Sequence, residues 1–396
     1  MARQENRHRL VARLALALAS IVVCETALLV WLWRCPVGVP GRPSLFHSIG
    51  FSPDFNVVRA SYPNVDFSRL YPGMSTEDID ALQRECFSTR YVYAPFVQFE
   101  ALPGKRRFVE ITQAGYRAGQ SEQPWPPRDD DLVVFVFGGS TTFGYGTPDS
   151  LTPVCALEDE LAALYDSQRV ECYNFGRGYY FSTQERILFE QLLLDGHVPD
   201  IAVFVDGLND FYYPDGVPQL TALLYRCTAA DLGDHPTLSV KTAQDPHDAV
   251  VQVIERYREN ARMITALAQA YDISLLLVGQ PVPFLEFDRS SADYPFPSTF
   301  KGHDLCRWGY ARFRDAGLAG AFGARFIWCG DAFREAAAPM YADSIHYTPE
   351  GGRTLARTIT SRAIAKELLV PFAEVVPELD ASQLKRQDAK KTHNKS

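Results

Sequence analysis

The chain has 396 residues, 46% of them apolar, enough for a core in two domains or in one large α/β domain with appendages. Its net charge of −9 excludes nucleic acid as the main partner, because a phosphate backbone calls for a basic face. The 8 cysteines form no CxxC pair and no Cys/His zinc spacing; they read as mostly buried thiols, with one or two disulfides left open for an extracytoplasmic domain.

Arg3, Arg7, Arg9 and Arg13 mark residues 1–13 as a basic, cytoplasmic amino terminus. Leu14–Trp33 follows as a mainly apolar run long enough to cross a hydrocarbon core of ~30 Å. Trp31, Trp33 and Arg34 suit the membrane interface that closes it. The run is not followed by a small-residue cleavage site, so it reads as an uncleaved single-pass anchor. The positive-inside rule then puts the bulk of the chain outside the cytoplasm, in the periplasm of a bacterium. Glu25 lies mid-span at a cost of ~3 kcal/mol on insertion scales; it reads as a tolerated defect or as a partner within an oligomer, whose state the sequence leaves open.

Residues 35–130 are rich in proline and aromatics and read as a small mixed annex with a linker. Ser75–Cys86 has helix-start chemistry, with Ser75 as cap and Glu77 and Asp78 in the first turn. Strands are expected at Tyr91–Phe99 and Arg107–Ile111. From 131 to 370, strands at 132–137, 169–174, 201–205, 273–279 and 325–328 alternate with helices at 151–166, 182–196, 247–271 and 349–369. That alternation predicts a parallel sheet of about five strands covered on both faces, a three-layer α/β/α class. A loop-rich insertion at 211–244 interrupts it, and 371–396 reads as a polar, disordered tail.

In such a sheet, ligands bind beyond the carboxyl ends of the strands. Ser140 follows the first core strand, after Gly138 and Gly139. Asn174–Gly178 (NFGRG) follows the second, Asp206–Asp210 (DGLND) the third, and Asp343–His346 (DSIH) the fifth. These are the parts of nucleophilic acyl transfer: a nucleophile, a base with its orienting carboxylate, and oxyanion donors. Asp343 and His346 are close enough for one turn to bring the carboxylate to Nδ1–H, leaving Nε2 for the serine proton. The Asn209 amide and the N–H groups of Ser140 and Gly178 can serve a developing oxyanion. The second block also allows Gly176 or Tyr179 at that position.

The order GGS, NFGRG, GLND, DSIH over residues 131–366 resembles the SGNH hydrolase superfamily, the GDSL-type esterases and lipases. Phe108–Arg117 (FVEITQAGYR) is similar to the lead-in of exported, membrane-anchored bacterial members. The resemblance implies a flavodoxin-like fold and metal-free ester hydrolysis without a cofactor. It places catalytic Ser140, Asp343 and His346 beside an oxyanion hole of Ser140, Gly178 and Asn209. One departure is Gly139, where the name-giving motif has aspartate. The implied substrate is an acyl ester, an O-acetyl carbohydrate or a lipid. Two other functions share these residues: O-acyl transfer to an envelope polysaccharide, and an idle carbohydrate-binding module.

Rival motifs fail on residues. The α/β-hydrolase elbow needs glycine where Thr142 stands, and no P-loop lysine follows Gly144 or Gly146. His197, His235, His247 and His303 are scattered and read as surface or insertion residues. Asp206 and Asp210 read as turn residues that position Asn209 or as residues that shape substrate contacts, and Arg177 as a salt-bridge partner or a contact for an anionic substrate. Tyr179, Tyr180, Phe181, Phe211, Tyr212 and Tyr213 serve either as a stacking platform or as packing beneath the insertion.

Overall fold

The computed structural model describes residues 53–166, 168–218, 221, 245–290, 293–297 and 302–369. The expected anchor with Glu25, most of the 211–244 insertion and the tail lie outside the described residues. Among the described residues no helix is long and apolar enough to cross a membrane.

The amino-terminal part carries the helix Thr76–Phe87, capped as its sequence predicts: Ser75 Oγ accepts from Asp78 N–H at 3.1 Å. The single strand expected over Tyr91–Phe99 is instead a hairpin of β1 (Tyr91–Ala94) and β2 (Gln98–Ala101). Its reversal uses Pro95 and two positive-φ residues, Phe96 at 66° and Gln98 at 71°. The reading along Arg107–Ile111 shortens to a two-residue strand. There β3 (Gly104–Lys105) pairs with β4 (Glu110–Ile111).

The main sheet is built from β5 (Leu132–Gly138), β6 (Val170–Asn174), β7 (Ile201–Asp206), β8 (Ser274–Gly279) and β9 (Phe326–Trp328). All neighbours are parallel, in the order β6-β5-β7-β8-β9. The core strands are covered on both faces, which is why they read as continuous apolar runs rather than alternating ones. Helices Pro153–Leu164 and Pro349–Ala365 pack together on one face. Ser182–Leu194, Pro246–Ala270 and Asp304–Leu318 pack on the other, as right-handed crossovers require. Three of these helices start alike, with a capping Thr152, Asp245 or Thr348 followed by proline.

The helix Asp304–Leu318 is not among those the sequence predicts. Its glycines, Gly309 and Gly317, depress helix propensity, and its exposed Trp308 and Leu318 blur the apolar stripe. Those glycines are set by packing: a Cβ on Gly309 would meet the Phe211 ring at 2.3 Å, and one on Gly317 the Phe326 ring at 2.2 Å.

This 2-1-3-4-5 order puts the switch point between β5 and β7, whose chain connections leave in opposite directions. The crevice beyond those two strand ends is where the candidate site lies.

Candidate active site

Ser140 opens the short helix Ser140–Phe143 directly after β5 and stays half-buried at the crevice. Its Oγ lies 2.8 Å from His346 Nε2. His346 Nδ1 lies 2.6 Å from Asp343 Oδ2. Asp343 Oδ1 accepts from the N–H groups of Ile345 at 2.8 Å and His346 at 2.9 Å. Burial by itself would raise the Asp343 pKa, but the adjacent imidazole and these hydrogen bonds outweigh it and hold the carboxyl below its ordinary value. The three groups thus form one hydrogen-bonded series ending on a hydroxyl.

A side chain outside the four blocks holds the two loops of that series together. Gln280, at the end of β8, donates to Thr141 Oγ1 at 3.2 Å and to Tyr347 Oη at 3.0 Å. It therefore ties the residue after Ser140 to the residue after His346. Arg117 supports the turn that carries Ser140 from the other side and is only 1% exposed. It donates to the carbonyls of Phe143 at 2.7 Å, Gly144 at 2.8 Å and Thr147 at 2.6 Å, and pairs with Asp149 at 2.8 Å. Its backbone also bridges to Asn174 at the end of β6. Phe108–Arg117 is thus a brace for the turn that carries Ser140.

Asn209 lies in the helix Leu208–Tyr212 after β7. Its Nδ2 donates to Tyr180 O at 2.6 Å. A Cβ on Gly139 would sit 2.4 Å from Asn209 Nδ2, so only glycine lets the amide close on the backbone beside Ser140. Of the alternatives in the second block, the Gly176 N–H is already committed to Asn174 Oδ1 at 3.0 Å. The Arg177 N–H donates to Gly138 O at 2.9 Å. The N–H groups of Gly178 and Tyr179 have no acceptor among the described residues. A Cβ on Gly178 would lie 2.4 Å from both Tyr91 Oη and Tyr145 Oη, which bond each other at 2.9 Å.

Aromatic rings wall this crevice. Tyr145 stands 5.1 Å from the His346 ring and Phe87 5.7 Å from it. His303 is not a scattered surface residue: it is 8% exposed, its ring 5.0 Å from Tyr212 and 6.2 Å from Phe284. Burial first, then the nearby His346, lower its pKa to about 4. No sequence signal marked it, because it opens the helix that the sequence reading lacked.

Other candidates resolve as packing. Tyr180, Phe181, Phe211 and Tyr213 are buried, while Tyr179 and Tyr212 remain half-buried. Arg177 faces Glu100 at 3.8 Å as the expected ion-pair partner. His197 packs on Trp125 at 4.5 Å, His247 meets Arg312 at the surface, and His235 lies outside the described residues. Cys86, Cys155, Cys172, Cys306 and Cys329 are buried thiols. Among the described residues no group of three His, Cys, Asp or Glu side chains could hold a metal ion.

The chain is similar to SGNH hydrolases in the order and the geometry of these residues. No family model and no curated protein matches it. Solved structures do match. An alpha/beta hydrolase enzyme from the metagenome of Lake Arreo, Spain, is 17% identical, with a TM-score of 0.36 over 60% of this chain and 95% of that one. A carbohydrate acetylesterase family member from Sinorhizobium meliloti is 16% identical, with a TM-score of 0.34 over 60% and 99%. A member of the lipolytic protein G-D-S-L family from Veillonella parvula is 13% identical, with a TM-score of 0.35 over 58% and 96%. At those scores the activities remain those proteins' own.

Proposed function

We propose that the chain is a serine esterase that hydrolyses an acyl ester through an acyl-enzyme on Ser140. The observation that carries this reading is the series from Ser140 Oγ to His346 Nε2 and from Nδ1 to Asp343, at 2.8 and 2.6 Å. As Oγ attacks the ester carbonyl, Nε2 takes its proton and Asp343 stabilises the imidazolium. The new oxyanion is met by the N–H of Ser140, the Asn209 amide and the N–H of Gly178. Nε2 then protonates the leaving alcohol, and water repeats the sequence in reverse order of partners to free the acid. Ser140 N–H is available because the first N–H groups of a helix have no intrahelical acceptor.

The substrate class in this reading is an O-acetyl carbohydrate or a lipid ester, with the aromatic walls offering faces to a sugar ring or an acyl chain. The anchored, extracytoplasmic location rests on residues 1–34 alone. A reporter fused after Ser396 is expected to work only outside the cytoplasm; cytoplasmic activity would overturn that location. For the chemistry, the full chain is expected to take a fluorophosphonate label and to turn over an aryl acetate. Ser140→Ala is expected to lose both. Labelling that survives Ser140→Ala, or a folded wild type that neither labels nor turns over any ester, would refute the reading.

A further inference from the structure

Beneath the crevice, Glu185, Asp206 and Asp210 are packed together in the interior, at 0%, 4% and 0% exposure. In the sequence the two aspartates read as turn residues and Glu185 carries no signal. Glu185 lies on the helix Ser182–Leu194, whose amino-terminal end meets the turn bearing Asn209 at three successive points. Tyr180 O accepts from Asn209 Nδ2 at 2.6 Å. Ser182 Oγ donates to Asp210 Oδ1 at 2.5 Å. The Glu185 and Asp206 carboxyl groups meet within hydrogen-bond reach. Ser182 and Glu185 are one turn apart on the helix, so they face the two ends of the same Asp206–Asp210 turn.

The third contact has no ready donor. Neither Glu185 oxygen, nor Asp206 Oδ2, nor Asp210 Oδ2 faces an N–H or hydroxyl donor among the described residues. The neighbouring cation, Arg256, spends its two terminal nitrogens on the carbonyls of Asp210, Tyr213 and Pro214 at 2.8–2.9 Å, and its Nε meets no acceptor among the described residues. Among the described residues the buried Tyr257 hydroxyl has no partner, and the charges of all three carboxyls reach it. Two carboxylates at this contact would repel each other in a dry interior; a carboxylic acid and a carboxylate would bond.

We propose that Glu185 works as a carboxylic acid that donates its proton to Asp206, and that this bond holds the Asp206–Asp210 turn, and with it the Asn209 amide, beside Ser140. Glu185 is then a positioning residue, acting through Asp206 on Asn209, and the proposal rests on the oxyanion role given to Asn209 above. The electrostatics agree in direction. Burial first, then the charges of Asp206 and Asp210, push the Glu185 carboxyl well above its ordinary value of 4.5. Burial first, then Asp210, moves Asp206 to about 8, with Glu185 opposing. Asp210 is raised by burial against the opposing pull of Arg256 and Ser182. A group raised on folding contributes stability that is complete below its unfolded pKa. That stability is lost as pH rises through the folded value. The fall therefore runs from about pH 4.5 to about pH 8 and above.

The test uses the full chain with Glu185→Gln and Glu185→Leu. Gln keeps a donor toward Asp206 but cannot ionise; Leu removes the bond. With an aryl acetate, wild-type kcat is expected to fall on the alkaline side, as Glu185 gives up its proton, while KM stays within about twofold. Glu185→Gln is expected to keep kcat within about threefold of wild type at pH 7 and to lose the alkaline fall. Glu185→Leu is expected to lower kcat at least ~10-fold at pH 7 with little change in KM. An alkaline fall in Glu185→Gln equal to that of wild type overturns the proposal, and so does a Glu185→Leu kcat within about twofold of wild type. Melting temperature against pH reads the same bond without catalysis. Glu185→Gln is expected to flatten the decline from pH 5 to 8, and an unchanged slope overturns the proposal. A flattened slope in a protein that turns over no ester upholds the bond and refutes the esterase reading instead. The Gln comparisons stand even where Glu185→Leu fails to fold.

Discussion

Asp343→Asn separates the orienting carboxylate from the charge beside it, and the geometry sets what to expect. Asp343 Oδ1 holds two backbone N–H groups at 2.8 and 2.9 Å, while Oδ2 faces His346 Nδ1 at 2.6 Å. Asparagine has one acceptor oxygen for these two duties. Keeping the backbone pair turns its NH₂ toward Nδ1, which must then be the unprotonated nitrogen. The imidazole proton moves to Nε2, 2.8 Å from Ser140 Oγ, where an acceptor is needed. In a Ser-His-Asp series that tautomer error costs ~10⁴ in kcat. The alternative flip keeps the tautomer but leaves two N–H groups facing an NH₂, at ~1–3 kcal/mol for each unsatisfied donor. Steady-state kinetics on an aryl acetate, with a melting curve to confirm folding, reads the result. We expect kcat down ~10³–10⁴ with KM within a few-fold. Retention of kcat within ~10-fold in a folded protein would mean that the carboxylate does not orient His346. The same variant carries a stability signature. Asp343 is depressed in the folded state, so its stabilisation is present above its ordinary value of 3.8 and lost as pH falls below it. Asp343→Asn should therefore melt with less acid sensitivity than wild type.

Two further perturbations address the parts around that series. Asn209→Ala removes a donor needed only when charge develops on the carbonyl oxygen, so kcat should fall ~10²–10³ while KM barely moves; a change confined to KM would make Asn209 a binding residue. Arg117→Met leaves Asp149 and three carbonyls without their cation, which breaking a buried pair puts at about 3–5 kcal/mol. That is roughly 5–8 °C in Tm for a domain of this size, and a shift below about 2 °C in thermal unfolding would show that the brace carries little.

The sequence by itself determined where the sheet strands lie, because strands covered on both faces are apolar along most of their length. Leu132–Gly138 and Ile201–Asp206 therefore stand out whatever surrounds them. It also determined the residues at the strand ends, since Ser140, Asn209, Asp343 and His346 each sit in a short polar block directly after an element or before a proline-led helix. The pairing of Asp343 with His346 is local in the chain, and so was readable.

What only the tertiary structure decided depends on partners far apart in sequence. Arg117, Gln280 and Glu185 act on loops that the fold brings to them; Arg117 closes a stretch the sequence marks, but nothing local to any of the three names its partners. His303 entered the crevice wall through a helix whose glycines answer to Phe211 and Phe326 rather than to helix propensity. That the Gly176 N–H is already taken likewise shows only in the fold, where Asn174 Oδ1 holds it while the Gly178 and Tyr179 N–H groups both stay without an acceptor among the described residues. Periodicity and spacing report what a residue does to its own segment. Charge in a dry interior and the filling of hydrogen-bond valences are settled between segments, where the packed chain alone defines the neighbours.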